Sequence, residues 1–435
     1  MDYKNVPVGP DCKVYRRRWL MLALFVMYSM SNAMQWIQYS IIENVVVRYY
    51  GVSSSFVEWT SMVYMVSYII LIVPGSWALD RFGLRKCVLA GALGTCLGSW
   101  VKVFSSGPDS FVLGFLGQTA VAISQVFVLS VPARLAAVWF GQDQVSSACS
   151  IGVFGNQLGV ALGFLIPPSV VPDVDDNELV GSRLGLLFKS VAGFTSVLLV
   201  LIIFFYEEQP PLPPSQAALK QKEETPDFVG SIKRLLSNIG YILLLVSYGI
   251  NVGVFYAIST LLNKVIITYF QNASEDAGRI GLTIVISGTV GSVVSGFVLD
   301  KTHKFKEVTL VVYLFSLIGL VVYNFTLDLG YIIIVYVTAG FLGFFMTGYL
   351  PVGFELAAEL TYPEPEGTSV GILNGFCQIF GILFTIGYSA LINAWGTKNA
   401  GLGLISTLAA GTVMTYFIPK DYKRQESGKD EKEPA

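Results

Sequence analysis

Hydrophobic residues occur in long unbroken runs along this chain, separated by short polar stretches. Runs such as "GYILLLVSYGI" do not alternate apolar with polar positions, which argues against the strands of a membrane barrel. A helix needs about 20 apolar residues to cross the hydrocarbon core. Twelve such helices are predicted, at residues 19–42, 57–79, 87–105, 111–138, 145–167, 184–206, 238–268, 276–299, 307–327, 330–356, 367–393 and 398–418. The predicted fold class is therefore an all-α membrane protein with twelve transmembrane helices.

An internal repeat divides these helices into two halves. "GSWALDRFGLRK" at 75–86 resembles "GFVLDKTHKFKE" at 296–307, and Asp80 and Asp300 lie 220 residues apart. The same offset aligns "YSMSNAMQW" with "YGINVGVFY", so that Trp36 falls on Tyr256. Two six-helix halves related by an axis along the membrane normal resemble the major facilitator fold.

The segment 207–235, rich in proline and charge, is predicted to be a cytoplasmic linker between the halves. It separates an N-terminal half, 19–206, from a C-terminal half, 236–418, with tails at 1–18 and 419–435. Lysine and arginine concentrate in the tails, in the linker and in the loops after the second and eighth spans. Because such residues favour the cytoplasmic side, both termini are predicted to be cytoplasmic.

Composition narrows the classes of function. The chain is 53% hydrophobic and only 13% charged, whereas about a quarter of the residues of soluble domains are charged. The net charge of −2 suggests no nucleic-acid partner. One histidine and five scattered cysteines offer neither a zinc site nor a disulfide framework, and no nucleophile–base set is present. We therefore predict no enzyme activity, no metal and no cofactor.

The tripeptide "NAS" at Asn272–Ser274 is an N-glycosylation sequon on the predicted outer side, just after the seventh span. The acidic stretch "PDVDDNE" between spans five and six falls on the same side. Glycosylation of Asn272 and chance occurrence of the tripeptide both remain open.

The loop after the second span resembles the cytoplasmic signature of the major facilitator superfamily, roughly G-x-x-x-D-R-x-G-R-K. The matching residues are Gly75, Asp80, Arg81, Gly83, Arg85 and Lys86, with one extra residue before Asp80 and Leu84 inserted. An aspartate facing a helix N-terminus, with cations holding adjacent helix ends, would latch the cytoplasmic side. The predicted latch residues are Asp80, Arg81, Arg85, Asp300 and Lys301. Ordinary positive-inside charge is the alternative interpretation.

The stretch "SNAMQWIQYS" places amides and aromatic rings inside the first predicted span. At 3.6 residues per turn, one helix face would carry Ser29, Asn32, Trp36 and Tyr39, and its counterpart would carry Gly249, Val252, Tyr256 and Ser259. In this fold such helices line a central cavity, so Trp36 and Tyr256 are predicted to enclose an ammonium group. Gln157 and Gln378 would meet a hydroxyl at its other end. Packing of Trp36 against lipid or a neighbouring helix is the alternative.

Ionisable groups inside membrane spans tend to mark proton or ion pathways. No carboxylate occupies the middle of spans one, four or seven, which favours facilitated diffusion over proton coupling. Lys102 is predicted to lie near a helix end, where a long side chain can reach water. Glu43 and Lys264 are candidates for an outer gate, with chance placement as the alternative.

Glycines at every fourth position of the fifth span predict a flat face for close helix contact. They are Gly155, Gly159 and Gly163, and Gly371 and Gly375 are predicted to act similarly on span eleven. Such a face would also let packed helices slide during transport.

Several stretches are similar to those of one transporter family. They include "QWIQYS", "VWFG", "VFGNQLG", "FYAISTLLN", "AGRIGLTIVI", "GFFMTGYLP" and "ELTYPEPEGTS", in collinear order over residues 16–425. In these stretches the chain closely resembles the feline leukaemia virus subgroup C receptor-related transporters. The resemblance implies carriage of choline, and in part ethanolamine, across membranes; haem export was the earlier proposal for that family.

The resemblance also places the cage at Trp36 and Tyr256. With the residues of the predicted stripe, the candidate substrate-binding residues are Trp36, Tyr256, Gln157, Gln378, Asn32 and Tyr39. We expect a monomeric uniporter in the plasma membrane, with the lipid bilayer and a small ammonium compound as partners. The alternatives are a haem exporter, although the single histidine, His303, falls in a predicted loop, and a non-transporting receptor.

Overall fold

The computed structural model describes residues 12–141, 144–214 and 227–423. Parts of the predicted tails and of the predicted linker lie outside these residues. Within them the chain forms fifteen α-helices, numbered in chain order. They are α1 Arg18–Ala33, α2 Glu43–Tyr50, α3 Ser54–Phe82, α4 Leu84–Val103, α5 Phe111–Trp139, α6 Val145–Val170, α7 Asn177–Phe205, α8 Phe228–Ser237, α9 Ile239–Thr260, α10 Leu262–Tyr269, α11 Ser274–Thr302, α12 Phe305–Thr326, α13 Ile332–Thr361, α14 Glu366–Trp395 and α15 Thr397–Tyr416. The all-α prediction is confirmed.

Nine helices in the described part of the chain are long and apolar enough to cross a membrane. They are α3, α5, α6, α7, α9, α11, α12, α13 and α14. Three further predicted spans coincide with the shorter helices α1, α4 and α15, of 16, 20 and 20 residues. The count of twelve transmembrane helices therefore stays a prediction. The short helix α8 begins inside the segment predicted to be a linker.

The first predicted span is broken rather than continuous. After α1 ends at Ala33, the chain forms turns and a 3₁₀ helix, Ser40–Ile42, before α2 begins at Glu43. Within these turns the Gln35 side chain donates to the Ser31 carbonyl at 3.1 Å. The seventh predicted span is interrupted in a similar place, at Leu261 between α9 and α10.

The break changes the predicted stripe of the first span. Ser29 and Asn32 lie on α1, but Trp36 and Tyr39 lie beyond its end. The prediction that these four share one helix face is therefore wrong, because the 3.6-residue period stops at the turn. On the seventh span the period holds, because Gly249, Val252, Tyr256 and Ser259 all lie within the continuous helix α9.

The described residues divide into two compact units. The first contains those of Met1–Trp36, Ile70–Gly163 and Gly181–Pro226, and the second those of Ile37–Ile69, Phe164–Val180 and Asp227–Ala435. Helices α3, α6 and α7 contribute to both units. Each unit has a buried interior of its own.

In the first unit, large aromatic side chains pack α1 against α4 and α5. Phe25, Tyr28 and Trp139 are almost fully buried. The Tyr28 hydroxyl donates a hydrogen bond to the Ser124 carbonyl at 2.9 Å. Gly91 makes room for this ring, since a Cβ at that position would lie 2.0 Å from the Tyr28 hydroxyl oxygen. Packing and buried polar contacts such as this one therefore set the position of α1.

Three glycines of α6 form the close contact that their spacing predicted. A Cβ at Gly159 would lie 2.6 Å from the Met30 carbonyl oxygen, and one at Gly163 would lie 2.7 Å from that of Met34. Gly155 approaches α1 at a similar distance, 2.9 Å. The flat packing face is confirmed, and sliding along it stays a prediction.

In the second unit, glycines again allow close helix contact, but these glycines lie on α9 and not on α14, where they were predicted. A Cβ at Gly249 or Gly253 of α9 would lie 2.4 or 2.8 Å from the Phe380 side chain of α14. A Cβ at Gly371 or Gly375 would meet no packed neighbour within 4 Å among the described residues. The prediction that Gly371 and Gly375 form a packing face is therefore wrong, because α9 supplies the small residues that face α14.

Candidate functional site

Trp36 lies in the turn that follows α1, where the backbone leaves the helix. Its N–H donates to the Ala33 carbonyl at 3.1 Å. Its own carbonyl accepts a hydrogen bond from the Gln118 side chain of α5 at 3.4 Å, and Gln118 Nε2 also donates to the Gln35 carbonyl at 2.8 Å. Trp36 is 7% exposed. The turn is therefore held by a side chain from another helix.

Gln35 connects this turn to α4 through a buried polar network. Its amide nitrogen donates to the Ser31 carbonyl at 3.1 Å and to Ser99 Oγ at 3.0 Å. Its amide oxygen accepts from Lys102 Nζ at 3.0 Å. All four residues are at most 1% exposed. The prediction that the Lys102 side chain reaches water is wrong, because Gln35 offers its ammonium group an acceptor inside the protein.

The other polar residues predicted for the first span are also buried. Asn32 Nδ2 donates to Thr95 Oγ1 at 3.1 Å and to the Val121 carbonyl at 3.0 Å, which ties α1 to α4 and α5. Tyr39 belongs to the second unit and is 1% exposed. Substrate contact by Asn32 and Tyr39 stays a prediction.

The second unit brings together two of the predicted binding residues. The Gln378 amide of α14 donates to the Tyr256 hydroxyl of α9 at 3.3 Å. Gln378 is 3% exposed, and Tyr256 is half-buried. Gly381 lets α14 approach the ring, since a Cβ there would lie 2.7 Å from Tyr256 and 2.9 Å from Met65 Sδ. The Tyr256 hydroxyl therefore has an amide partner.

The remaining predicted polar contact, Gln157, is half-buried on α6. Trp36 and Gln157 belong to the first unit, whereas Tyr256 and Gln378 belong to the second. The cage that these four residues would form together stays a prediction.

Glu58 is the centre of a buried ionic cluster in the second unit. It lies near the start of α3, is 3% exposed and accepts a hydrogen bond from Ser389 Oγ of α14 at 2.7 Å. Lys264 Nζ of α10 lies 3.5 Å from the same carboxylate and 3.3 Å from Ser54 Oγ. Ser54 also donates to the Glu43 carboxylate. We call Glu43, Ser54, Glu58, Lys264 and Ser389 the Glu58 cluster.

This cluster extends the predicted pair of Glu43 and Lys264. The two meet through Ser54, and the carboxylate paired with Lys264 is Glu58, which sequence analysis did not select. An ionisable residue at the start of the second predicted span was the signal that could have identified Glu58. The cluster holds two carboxylates and one ammonium group, and buried charges of this kind need close polar partners.

Part of the predicted cytoplasmic latch lies in the first unit. Asp80 forms an ion pair with Arg134 of α5 at 3.1 Å. The N–H groups of Leu84 and Arg85, which begin α4, donate to the Glu208 carboxylate at 2.7 Å each. Glu208 therefore supplies the carboxylate at this helix N-terminus, and Asp80 pairs with a cation instead.

The rest of the predicted latch is exposed. Arg81 lies at the end of α3, and Asp300 and Lys301 lie near the end of α11. Lys301 Nζ sits 4.8 Å from the centre of the Phe297 ring, one turn earlier on the same helix. An exposed ion pair contributes about 0–1 kcal/mol to the stability of the state in which it forms. A latch made of such residues would therefore have to act through several pairs together.

A second ionic contact ties α8 to the turn between α13 and α14. Ser231 Oγ donates to Glu364 at 2.6 Å, and the Arg234 guanidinium donates to the same carboxylate. The hydrogen bond from Arg234 first, and that from Ser231 second, hold the pKa of Glu364 below its ordinary value of 4.5. This contact fixes the short helix to the start of α14.

Asn272 is exposed in the turn between α10 and α11, with a left-handed φ of 58°. The Ser274 hydroxyl of the same sequon is buried, 3.3 Å from Asn44 Oδ1 and 3.4 Å from Asp173 Oδ2. The asparagine is therefore accessible in the folded protein, while the serine is part of the packing. Glycosylation stays a prediction.

The last candidates to consider are the side chains that could bind a metal ion, among them the chain's single histidine. His303 follows α11 in a left-handed conformation, φ 52°, and is exposed. Across residues 12–141, 144–214 and 227–423, no group of three or more His, Cys, Asp and Glu side chains is placed to hold a metal ion.

Comparison with known proteins identifies the family. A model of the Major Facilitator Superfamily matches residues 24–385. The Danio rerio protein named choline/ethanolamine transporter flvcr2b is 50% identical over 428 residues, 98% of this chain and 88% of the relative. The Homo sapiens choline/ethanolamine transporter FLVCR2 is 48% identical over 97% of this chain and 82% of its own length.

Solved structures agree on the fold. A bacterial homologue of the human lysosomal transporter Spinster matches with a TM-score of 0.74, over 95% of this chain and 99% of that one. The two sequences are 13% identical, so this likeness concerns the fold alone.

Proposed function

Because this chain belongs to the major facilitator superfamily, among relatives named choline/ethanolamine transporters, we propose that it carries choline, and also ethanolamine, across a membrane. The observation that carries the proposal is 50% identity spread over 98% of the chain. As a member of a transporter family, the protein is not an enzyme. Transport is proposed to be uniport, down the gradient of the substrate, and to occur at the plasma membrane.

The substrate's ammonium group is proposed to lie between the rings of Trp36 and Tyr256. Each aromatic face attracts such a cation by about 0.5–2 kcal/mol, and by more in a dry site. The quaternary ammonium of choline has no N–H to donate, so ring faces suit it without a carboxylate. The hydrogen bond between Tyr256 and Gln378 supports this role, because it restrains the ring and leaves an amide close to it. Gln157 is proposed as the polar contact from the other half.

Alternating access requires contacts that form and break on each side of the membrane. The Glu58 cluster supports the proposal that such a contact lies on the predicted outer side. Glu58 comes from the N-terminal half and Lys264 from the C-terminal half of the predicted repeat, so their 3.5 Å contact has to break if the halves separate there. The latch residues around Asp80 and Asp300 are proposed to act on the cytoplasmic side.

Haem export and a non-transporting receptor are the competing proposals. Haem iron takes an axial His, Cys, Met or Tyr, and His303 is exposed at the end of α11, outside the candidate span. A shifted Soret band on titration of the purified protein with haemin would support the first alternative. Choline binding without choline entry into proteoliposomes would support the second.

Uptake of radiolabelled choline tests the proposal. We expect saturable uptake, insensitive to external pH, in cells that express the protein. Trp36→Ala and Tyr256→Ala should abolish it at matched surface amounts, whereas Tyr256→Phe keeps the ring and should retain part of it. Trp100→Ala is the matched control, because that indole is 42% exposed and bonds Ser196. Absence of wild-type uptake, or normal uptake by both alanine variants, would refute the proposal.

A further inference from the structure

In the turn that carries Trp36, the N–H groups of Gln35 and Trp36 donate to backbone carbonyls at 3.2 and 3.1 Å, but their own carbonyls accept from a side chain. A helix that stops leaves its last carbonyl groups without helical partners, and unsatisfied carbonyls are costly inside a membrane. Here side chains supply the donors. Gln118 donates to the carbonyls of Gln35 and Trp36, and the Gln35 side chain donates back to the carbonyl of Ser31. The path of the chain at Trp36 therefore depends on two amide side chains.

Lys102 determines which way the Gln35 amide points. An ammonium group can only donate hydrogen bonds, so it must meet the amide oxygen, and Lys102 Nζ lies 3.0 Å from Gln35 Oε1. The amide nitrogen is thereby turned towards the Ser31 carbonyl and Ser99 Oγ.

The protein accommodates this buried lysine in two ways. Gly117 of α5 leaves space for its stem, since a Cβ there would lie 2.9 Å from Lys102 Cγ. Its Nζ donates to Gln35, two residues beyond the end of α1, and the C-terminal end of a helix carries partial negative charge. Side chains that are 0–1% exposed thus form a buried polar network that contacts the turn.

From this geometry we propose that Lys102 and Gln118 are positioning residues for Trp36, which hold its ring at the choline site. The inference rests on the proposed function, because it assigns both side chains to the same substrate. Lys102 acts through Gln35, and Gln118 acts on the backbone of Trp36 itself. Their removal should therefore weaken the recognition of choline through the ring.

A double-mutant cycle between Lys102 and Trp36 distinguishes positioning from general stabilisation. Lys102→Met should raise the KM for choline about tenfold, the effect of losing a buried hydrogen bond. In a Trp36→Phe background the same change should raise KM by less than about twofold, because the ring that it positions is already altered. Lys189→Met, which removes an exposed lysine of α7, is the control. Equal effects in both backgrounds would overturn the proposal.

Gln118→Asn provides a second variant in case Lys102→Met does not reach the membrane. It withdraws the amide from both carbonyls by one methylene and leaves the charge of Lys102 in place. KM should rise, and by less than about twofold in a Trp36→Phe background; an unchanged KM would overturn the proposal. The two proposals fail differently: absent wild-type uptake refutes choline transport, whereas normal uptake with an additive cycle refutes positioning alone.

Discussion

Replacing Lys264 by methionine should destabilise the Glu58 cluster, because the buried carboxylate loses its cation. The two charges lie 3.5 Å apart, which corresponds to about 4–5 kcal/mol at an effective dielectric constant of about 20. The Lys264 side chain is 20% exposed and that of Glu58 only 4%, so water screens the lysine more. Ser389 still donates to the carboxylate. Because water screens the lysine and the hydrogen bond from Ser389 remains, we expect the free energy of unfolding to fall by about 2–4 kcal/mol. This lies near the range measured for broken buried pairs.

The assay is thermal unfolding of the purified protein, and a double variant makes it decisive. Lys264→Met should lower the midpoint clearly, whereas Glu58→Gln combined with Lys264→Met should recover most of the loss, because the carboxylate that Lys264 pairs with is then removed together with it. Lys398→Met is the control, since it breaks a surface pair with Asp328 in which both side chains are over 40% exposed. A double variant no more stable than Lys264→Met would refute the argument that charge compensation holds the cluster.

Three further predictions concern other parts of the molecule. Because Arg234 lowers the pKa of Glu364, the stability from this contact is present above its ordinary pKa of 4.5 and is lost as the pH falls through the lowered value. Glu364→Gln should therefore flatten the acid dependence of the unfolding midpoint, and an unchanged profile would contradict this. Gly159→Val should cost about 1–3 kcal/mol by overpacking against α1, whereas Gly193→Val, which faces open space on α7, should cost little by the same assay. If Asn272 is glycosylated, glycosidase treatment should shift the mobility of the wild type but not that of Asn272→Gln, and an unshifted wild type would refute glycosylation.

The helical architecture could be predicted from hydropathy, because helices such as α5 consist of a single apolar run. The predicted boundaries of that span, 111–138, differ from Phe111–Trp139 by one residue. The break after α1 could not be predicted in the same way. Its backbone partners come from Gln118, which is 83 positions away from Gln35 in sequence, and hydropathy along one segment contains no information about such a contact.

The residues of the candidate site could be predicted in part from the sequence, but their contacts could not. The repeat selected Tyr256, Gln378 was predicted as a polar contact, and the structure places the two within hydrogen-bond distance. Lys102 was predicted near a helix end, and it lies in the last turn of α4. The direction of its side chain depends on an acceptor in the turn after α1 and on the space left by Gly117. A single sequence contains the residues of such an arrangement but not the tertiary contacts that orient them.

The turn after α1 has a consequence for how the protein is made. The ribosome synthesises α1 before α5, so the carbonyls of Gln35 and Trp36 emerge long before Gln118 is available to them. Until then a lone first segment satisfies its backbone best as an uninterrupted helix. Its bend therefore forms after insertion of the fourth predicted span. Truncated nascent chains that stop before Gln118 should keep the first span straight.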